Sequence, residues 1–549
     1  MRVMSKFPLF AWGLVVALIS ALLFGGCGGG GGVTTPISFT VGGAVINLAG
    51  AGGGLMLQDN GGDTVMVNAN GAFQFPTPLI SGSSYKVTVS AQPSNPVQSC
   101  AATSASGIVS GDVSSIKVDC GHKEWAWQAG FKTADQIGVY GTMGVAAPGN
   151  TPGGRQYPAT WTDASGNLWL FGGYGHDSGG NLLPFNDLWK FSGGQWTWIS
   201  GPMLAGANGV YGTLGVASPN NIPGARFEPA SWTDSAGNLW MFGGNGFDSV
   251  GNESPMNDLW KYSAGEWTWM GGSSIGLQQG VYGTLGVASA SNMPGGRSGT
   301  VIWLDASGNL WLFGGLGYDE FNPVNGELSD LWKYSGGEWT WMGGPKDKQQ
   351  VGVYGTEGIA ASSNLPGARW GAFNWVDAGG NFWLFGGYGY DVNGSVLVLN
   401  DQWKYSSGQW TWVAGAKVVD QPGVYGTQGV AAANNIPGAR WFGATWTDAA
   451  GNAWIFGGNG FDSTGQAGFL NDLWKFSGGQ WTWMGGANAA DPPSAFGTQG
   501  ILFPGNGPGG RFFLARWVDT QGNFWLFGGY GEASGPPTGN LNDMWMYEP

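Results

Sequence analysis

The segment WTDASGNLWLFGG, which begins at Trp161, returns in recognisable form at Trp232, Trp303, Trp375, Trp446 and Trp517, so successive copies lie 71, 71, 72, 71 and 71 residues apart. A period this even means that one unit cannot bury its apolar face alone and must stack on its neighbours. The register holds outside the segment too, with PGGR or PGAR ahead of every copy and NDLWKF or a near relative behind. Each unit offers four short apolar runs, such as PATWTD, NLWLFGG, DLWKFS and QWTWIS, joined by turn sequences such as DASGN and SGG. Runs of this length bounded by Gly, Asn and Asp read as strands that pair with their predecessors, hence one antiparallel sheet per unit. In the second and fourth runs every other residue is aromatic, as in Trp169 with Phe171 and Trp196 with Trp198. The intervening positions are often apolar as well, and a sheet apolar on both faces must be covered on both, which radial stacking accomplishes.

Strand two ends in Gly-Gly, strand three carries an aromatic (Phe191, Tyr262, Tyr334, Tyr405, Phe476, Tyr547) and a Trp opens strand four. In these features the unit resembles the kelch repeat. The resemblance covers Glu124 to Pro549 and implies an all-β fold with a six-bladed kelch-type β-propeller. The units are longer than the family's, and the extra residues fall in GVYGTMGVAAPGNTPG and its copies, between strand four and the next strand one. The sixth unit stops at NDMWMYEP, after strand three, while EWAWQAG at Glu124 has no strands one to three in front of it. Residues 124–128 are therefore expected to supply the missing fourth strand of blade six, which would remove the exposed edges of an open array.

Ahead of the repeats, Arg2 and Lys6 precede an apolar stretch from Phe7 to Phe24, followed by Gly25, Gly26 and Cys27. This resembles a bacterial lipoprotein signal over residues 1–26, which implies lipidation of Cys27 and a lipid-anchored place at the bacterial outer membrane or cell surface. Phe24 stands where that motif has Leu, so an uncleaved anchor is the alternative; both put the rest of the chain outside the cytoplasm. Residues 27–37, with Gly28 to Gly32, form a tether. Once Cys27 is assigned to lipid, Cys100 and Cys120 remain as an expected disulfide, against the alternative of two free thiols. Residues 38–121 alternate apolar and polar positions between Asn-Gly and Gly-Gly turns, which predicts a small β-sandwich of immunoglobulin-like or transthyretin-like type, acting as a spacer.

Composition bears on partners. With 21 Lys plus Arg against 35 Asp plus Glu, the formal charge is -14, which disfavours nucleic acid or an anionic lipid surface. Strand alternation puts both long segments of a blade, GGYGHDSGGNLLPFN and the GVYGT insert, on one face, and that face is the candidate surface for a protein or glycan ligand. Arg155, Arg226, Arg297, Arg369, Arg440 and Arg511 share one position at the start of strand one. They form a candidate ligand-binding ring, much as kelch domains that bind acidic peptides use arginines there, with a scaffold role inside each blade as the alternative. The residues that follow break the symmetry, and Tyr157, Trp370, Trp441, Phe442, Phe512 and Phe513 are candidate stacking contacts, with packing between blades as the alternative.

The recurring Asp177, Asp248, Asp319, Asp391 and Asp462 sit in the loop after strand two without the spacing of a calcium loop and read as turn residues. The Asp of NDLW, such as Asp187 and Asp258, is expected to bond backbone amides at the start of strand three. Galactose oxidase is a kelch relative whose copper site needs two histidines; here His122 and His176 are the only ones, and His122 precedes the repeats. The TDASGNLW turn differs in spacing from the Asp-box of sialidases. No catalytic residue, metal site or cofactor is assigned. The expectation is a non-catalytic surface binding protein; the rival is a carbohydrate-active enzyme, a glycoside hydrolase or lyase, with acidic groups in the axial cleft.

Overall fold

The computed structural model describes residues 36–46, 48, 54–93, 100–120, 124–503 and 505–549. The expected signal segment, Cys27 and most of the tether lie outside them. Every regular element described is a β-strand, and among the described residues no helix is long and apolar enough to cross a membrane.

Between residues 38 and 120 the strands form two four-stranded sheets and a short pair. One sheet runs Gly71–Gln74, Val41–Ile46, Val113–Asp119, Ala101–Thr103; the other runs Asp63–Val67, Leu55–Asp59, Ser84–Ala91, Ser106–Ile108. Val41, Val45, Phe73 and Val118 from the first meet Leu55, Leu57 and Val87 from the second in one core. Cys100 and Cys120 are joined by a disulfide within it. One pairing departs from the hairpin pattern: Val41–Ile46 lies parallel to Val113–Asp119. Strands that far apart in sequence are joined by a crossover, which hairpin signals do not report.

From residue 125 onward each repeat builds one main four-stranded sheet; in the first two repeats the short strands at its inner end form a separate three-stranded sheet, and in the other four they are continuous with it. In the first, Ala159–Thr162, Leu168–Phe171, Leu188–Ser192 and Gln195–Ser200 pair in that order, all antiparallel. A two-residue strand at Arg155–Gln156 continues the innermost strand and pairs with Tyr174–His176. The sixth sheet is completed from the other end of the repeat region, since Trp125–Ala129 pairs antiparallel with Gly539–Tyr547, with Trp125 opposite Tyr547 and Trp127 opposite Trp545.

Neighbouring sheets are locked face to face. Trp196, 1% exposed, has its ring centroid 5.4 Å from that of Phe527 in the sixth sheet, and Trp267 stands in the same relation to Phe171 of the first at 5.2 Å. Burying one such indole removes about 150–250 Å² from water, an upper bound of about 4–6 kcal/mol before ordering costs. Backbone bonds also cross between sheets: Gly173 and Gly244 donate to the carbonyls of Arg226 and Arg297 in the next repeat. At the preceding Gly172, φ is +67° and a Cβ would come within 2.7 Å of the Arg226 oxygen, so the Gly-Gly pair permits this approach. The innermost strand Ala159–Thr162 packs against both Ala230–Thr233 and Ala515–Val518, bringing the sixth sheet beside the first.

The GVYGT inserts do not simply widen one face. Each runs back along the outer edge of its own sheet: Gly144 donates to Trp198 O, Ala147 bridges Trp196, and the Asn150 amide donates to Trp196 O. The same bridges recur at Ser218 to Trp267 and Ala361 to Trp410, and in the sixth sheet Gly500 donates to Trp127 O. Strand four is therefore not left as an open edge.

Candidate functional site

The six arginines at the start of strand one are buried inside their sheets, 0–1% exposed. Arg155 Nη1 and Nη2 donate to the two oxygens of Asp187 at 2.6 and 2.9 Å, Nε donates to Gly153 O, and Nη1 also donates to Gly172 O. The identical fork joins Arg226 to Asp258, Arg297 to Asp330, Arg369 to Asp401, Arg440 to Asp472 and Arg511 to Asp543. At Arg155, Arg226, Arg297, Arg369 and Arg440 burial alone would pull the guanidinium down, but the carboxylate beside it outweighs burial and holds the group above its ordinary value. A ring of guanidinium groups facing a ligand is thus not what the fold builds: the forks close inward on carboxylates, Nη1 also holds the first carbonyl of the Gly-Gly pair, and Nε holds the carbonyl of the glycine two residues before each Arg.

The NDLW aspartates are corrected in the same way, since they serve side chains rather than backbone amides. Asp187 accepts from Tyr140 Oη at 2.8 Å and from Trp189 Nε1 at 2.7 Å in addition to Arg155. Tyr140 is the tyrosine of the GVYGT insert, so one carboxylate ties the insert, strand one and strand three together. Burial, then the Asp187 charge, raises the Tyr140 pKa and keeps the phenol a donor. In the sixth repeat Phe496 takes the tyrosine's place and brings no hydroxyl; there Ser494 Oγ accepts from Arg511 Nη2 at 3.0 Å. The aspartates of the loop after strand two close turns: Asp177 Oδ1 accepts from the amides of Gly179 and Asn181, and Oδ2 from that of Ala205. Among the described residues no group of three or more His, Cys, Asp or Glu is placed to hold a metal ion.

Where strand one begins, six backbone bonds run in a circuit. Tyr157 donates to Phe513 O, Glu228 to Tyr157 O, Gly299 to Glu228 O, Gly371 to Gly299 O, Phe442 to Gly371 O and Phe513 to Phe442 O, at 2.7–3.1 Å. Each link joins one repeat to the next, and the last returns to the first. All six residues have positive φ, from 51° to 64°; for the four that are not glycine this is a backbone state held by the surroundings. Gly371 gives room to Phe442, whose ring would lie within 2.5 Å of a Cβ there.

The aromatic candidates come together around this circuit. Tyr157, Phe442 and Phe513 fill the centre, with Phe442 5.2 Å from Tyr157 and 4.8 Å from Phe513 between ring centroids. Around them, Trp370 and Trp441 are 5.1 Å apart, and Tyr388 from strand two stands 5.3 Å from Trp441. Trp370, Tyr388 and Trp441 are half-buried, leaving ring surface open beside the axis; Phe512 and Phe513 are buried at 9% and 7% exposure and serve mainly as packing.

Two residues that sequence reasoning did not single out lie on the axis. Glu228 is buried, accepts from Ser298 Oγ at 2.8 Å, and is raised to about 7 by desolvation. Arg516, on strand one of the sixth sheet, lines an axial cavity of about 180 Å³ with Tyr157, Glu228, Phe442 and Asn374. Their signal in the sequence was the comparison of equivalent positions: Glu228 replaces Tyr, Gly or Phe, and Arg516 replaces Thr160, Ser231, Ile302, Asn374 and Thr445.

No family model matches the chain, and no curated protein does. Among solved structures, YjhT is similar at 15% identity over 72% of this chain and 95% of its own, with a TM-score of 0.42. A fungal alcohol oxidase of the AA5 family, solved in complex with copper, is similar at 14% identity over 75% of this chain and 77% of its own, with a TM-score of 0.39. A protein of unknown function from Dyadobacter fermentans is similar at 9% identity over 78% of this chain and 99% of its own, with a TM-score of 0.39.

Proposed function

We propose that the six repeated sheets are the blades of a kelch-type β-propeller, that the two N-terminal sheets form a β-sandwich spacer, and that the protein is a non-catalytic binding protein, exported and lipid-anchored at a bacterial surface. Its ligand, a glycan or a protein, sits on the aromatic surface around the axis on the side where strand one begins. The observation that carries this reading is the cluster of Trp370, Tyr388 and Trp441, half-buried and confined to one side of an otherwise repeated circuit. Open aromatic faces stack on sugar rings or apolar side chains at little entropic cost.

The enzymatic alternative has one specific observation behind it, the buried Glu228 beside Tyr157, whose protonation falls near neutrality. Glycoside hydrolysis in its usual form needs two carboxyl groups across the scissile bond. Glu228 is the one carboxylate among the described residues that line the axial cavity, so binding is the better-supported reading. A glycan and peptide array probed with the purified protein, scored for both capture and product, tests it. Capture without turnover is expected; product formation contradicts the non-catalytic reading.

A further inference from the structure

The six arginines of the repeat each close on an aspartate, and Arg516 does not. Among the described residues its guanidinium makes no hydrogen bond or ion pair, and the side chain is half-buried, on the wall of the axial cavity. A cation partly withdrawn from water and without a protein partner favours an anion that can reach it. Desolvation pulls Arg516 down to about 10, which still leaves it charged at neutral pH.

Its surroundings are polar but otherwise uncharged apart from Glu228. Thr160, Ser231, Thr300 and Asn374 line the same cavity, offering hydroxyl and amide groups. Glu228 is engaged with Ser298 Oγ and forms no ion pair with Arg516. The backbone circuit and the rings of Tyr157, Phe442 and Phe513 close the cavity on the side where strand one begins. On the other side Thr162, Thr233, Leu304, Val376, Thr447 and Val518, at the far ends of the innermost strands, are all half-buried, so that end of the axis reaches solvent.

We propose that this axial cavity binds a small organic monoanion, a carboxylate, whose charge is met by the Arg516 guanidinium and whose access is from the short-turn side. A guanidinium fork matches the two oxygens of a carboxylate. With Glu228 protonated, as its burial favours, Arg516 is one cation among neutral donors and fits one negative charge; a phosphate dianion would find no second cation among the cavity residues. The volume, about 180 Å³, suits a compact molecule, since an engineered cavity of about 150 Å³ holds benzene. This site lies behind the aromatic plug and is independent of the ligand surface proposed above.

Calorimetric titration and thermal unfolding of the full protein with acetate, benzoate and D-glucuronate test the assignment, with acetamide, benzamide, D-glucose and inorganic phosphate as counterparts. At least one carboxylate is expected to bind one per chain and raise Tm, while its neutral counterpart does neither. Arg516→Gln is expected to weaken that binding at least tenfold while leaving the unliganded Tm unchanged or higher, because it removes a partly desolvated charge that has no protein partner. Trp441→Ala, outside the cavity, is expected to leave it intact. The proposal is overturned if no carboxylate binds, if phosphate binds more tightly than every carboxylate, if Arg516→Gln binds equally well, or if that variant is destabilised without ligand.

Discussion

Arg155 donates through both terminal nitrogens to the two oxygens of Asp187, at 2.6 and 2.9 Å, and neither side chain has any solvent exposure. The pair recurs in every repeat, and each copy bridges strand one to strand three at the end where the insert docks. Removing one partner would strand a buried charge. Arg369→Ala or Asp401→Ala is expected to cost about 3–5 kcal/mol, read by denaturant unfolding. A variant as stable as its parent would contradict the scaffold role and return Arg369 to the list of ligand contacts.

The insert tyrosine adds a smaller increment to the same cluster. Tyr282 Oη donates to Asp330 at 2.7 Å within the buried group. Tyr282→Phe keeps the ring against Trp332 and removes only this bond, so a loss of about 1.5–3 kcal/mol is expected. The sixth repeat already carries Phe496 with Ser494 as substitute partner for Arg511, and there Ser494→Ala is expected to be the destabilising change.

Glu228 makes stability depend on pH. Desolvation raises its folded pKa from 4.5 to about 7, partly offset by bonds from Ser298 and Tyr157, so between those values the folded state binds more protons than the unfolded chain. Stability from this residue is therefore full below about 4.5, falls as pH rises, and levels off above about 7. Glu228→Gln is expected to flatten the fall over that window in Tm measured against pH. An unchanged slope would place the titration elsewhere, for instance at Glu124, which desolvation also raises to about 7.

Trp370 and Trp441 are separable from the fold in a way that Trp196 is not. Both are half-buried, whereas Trp196 is wedged between sheets at 1% exposure. Trp441→Ala is expected to weaken capture of any array ligand at least about tenfold with a modest shift in Tm. Trp196→Ala is expected to cost about 3–5 kcal/mol with no specific effect on the ligand surface.

What the sequence disclosed divides along physical lines. The even spacing of Trp161 and its copies, and the two-residue alternation in runs such as LWLF, reported one antiparallel sheet per repeat, because periodicity records burial directly. The unmatched Trp125 and Trp127 pointed to the strand that Gly539–Tyr547 lacks, since chain register survives in aromatic spacing. Partners are another matter. That Arg155 meets Asp187, or that the insert lies along strand four instead of widening a face, depends on distances between residues remote in sequence. Glu228 and Arg516 were hidden for a related reason: each is a single departure at one of six equivalent positions, and only the axis reveals that those positions face one another.

Closure of the six sheets into one ring by the strand at Trp125–Ala129 is the claim on which the rest depends, and native-state hydrogen exchange tests it directly. If that strand shuts the ring, its amides exchange only through the same global opening as those of Leu168–Phe171 in the first sheet. Exchange of the 125–129 amides at a much lower opening free energy, with the other sheets still protected, would contradict a closed ring.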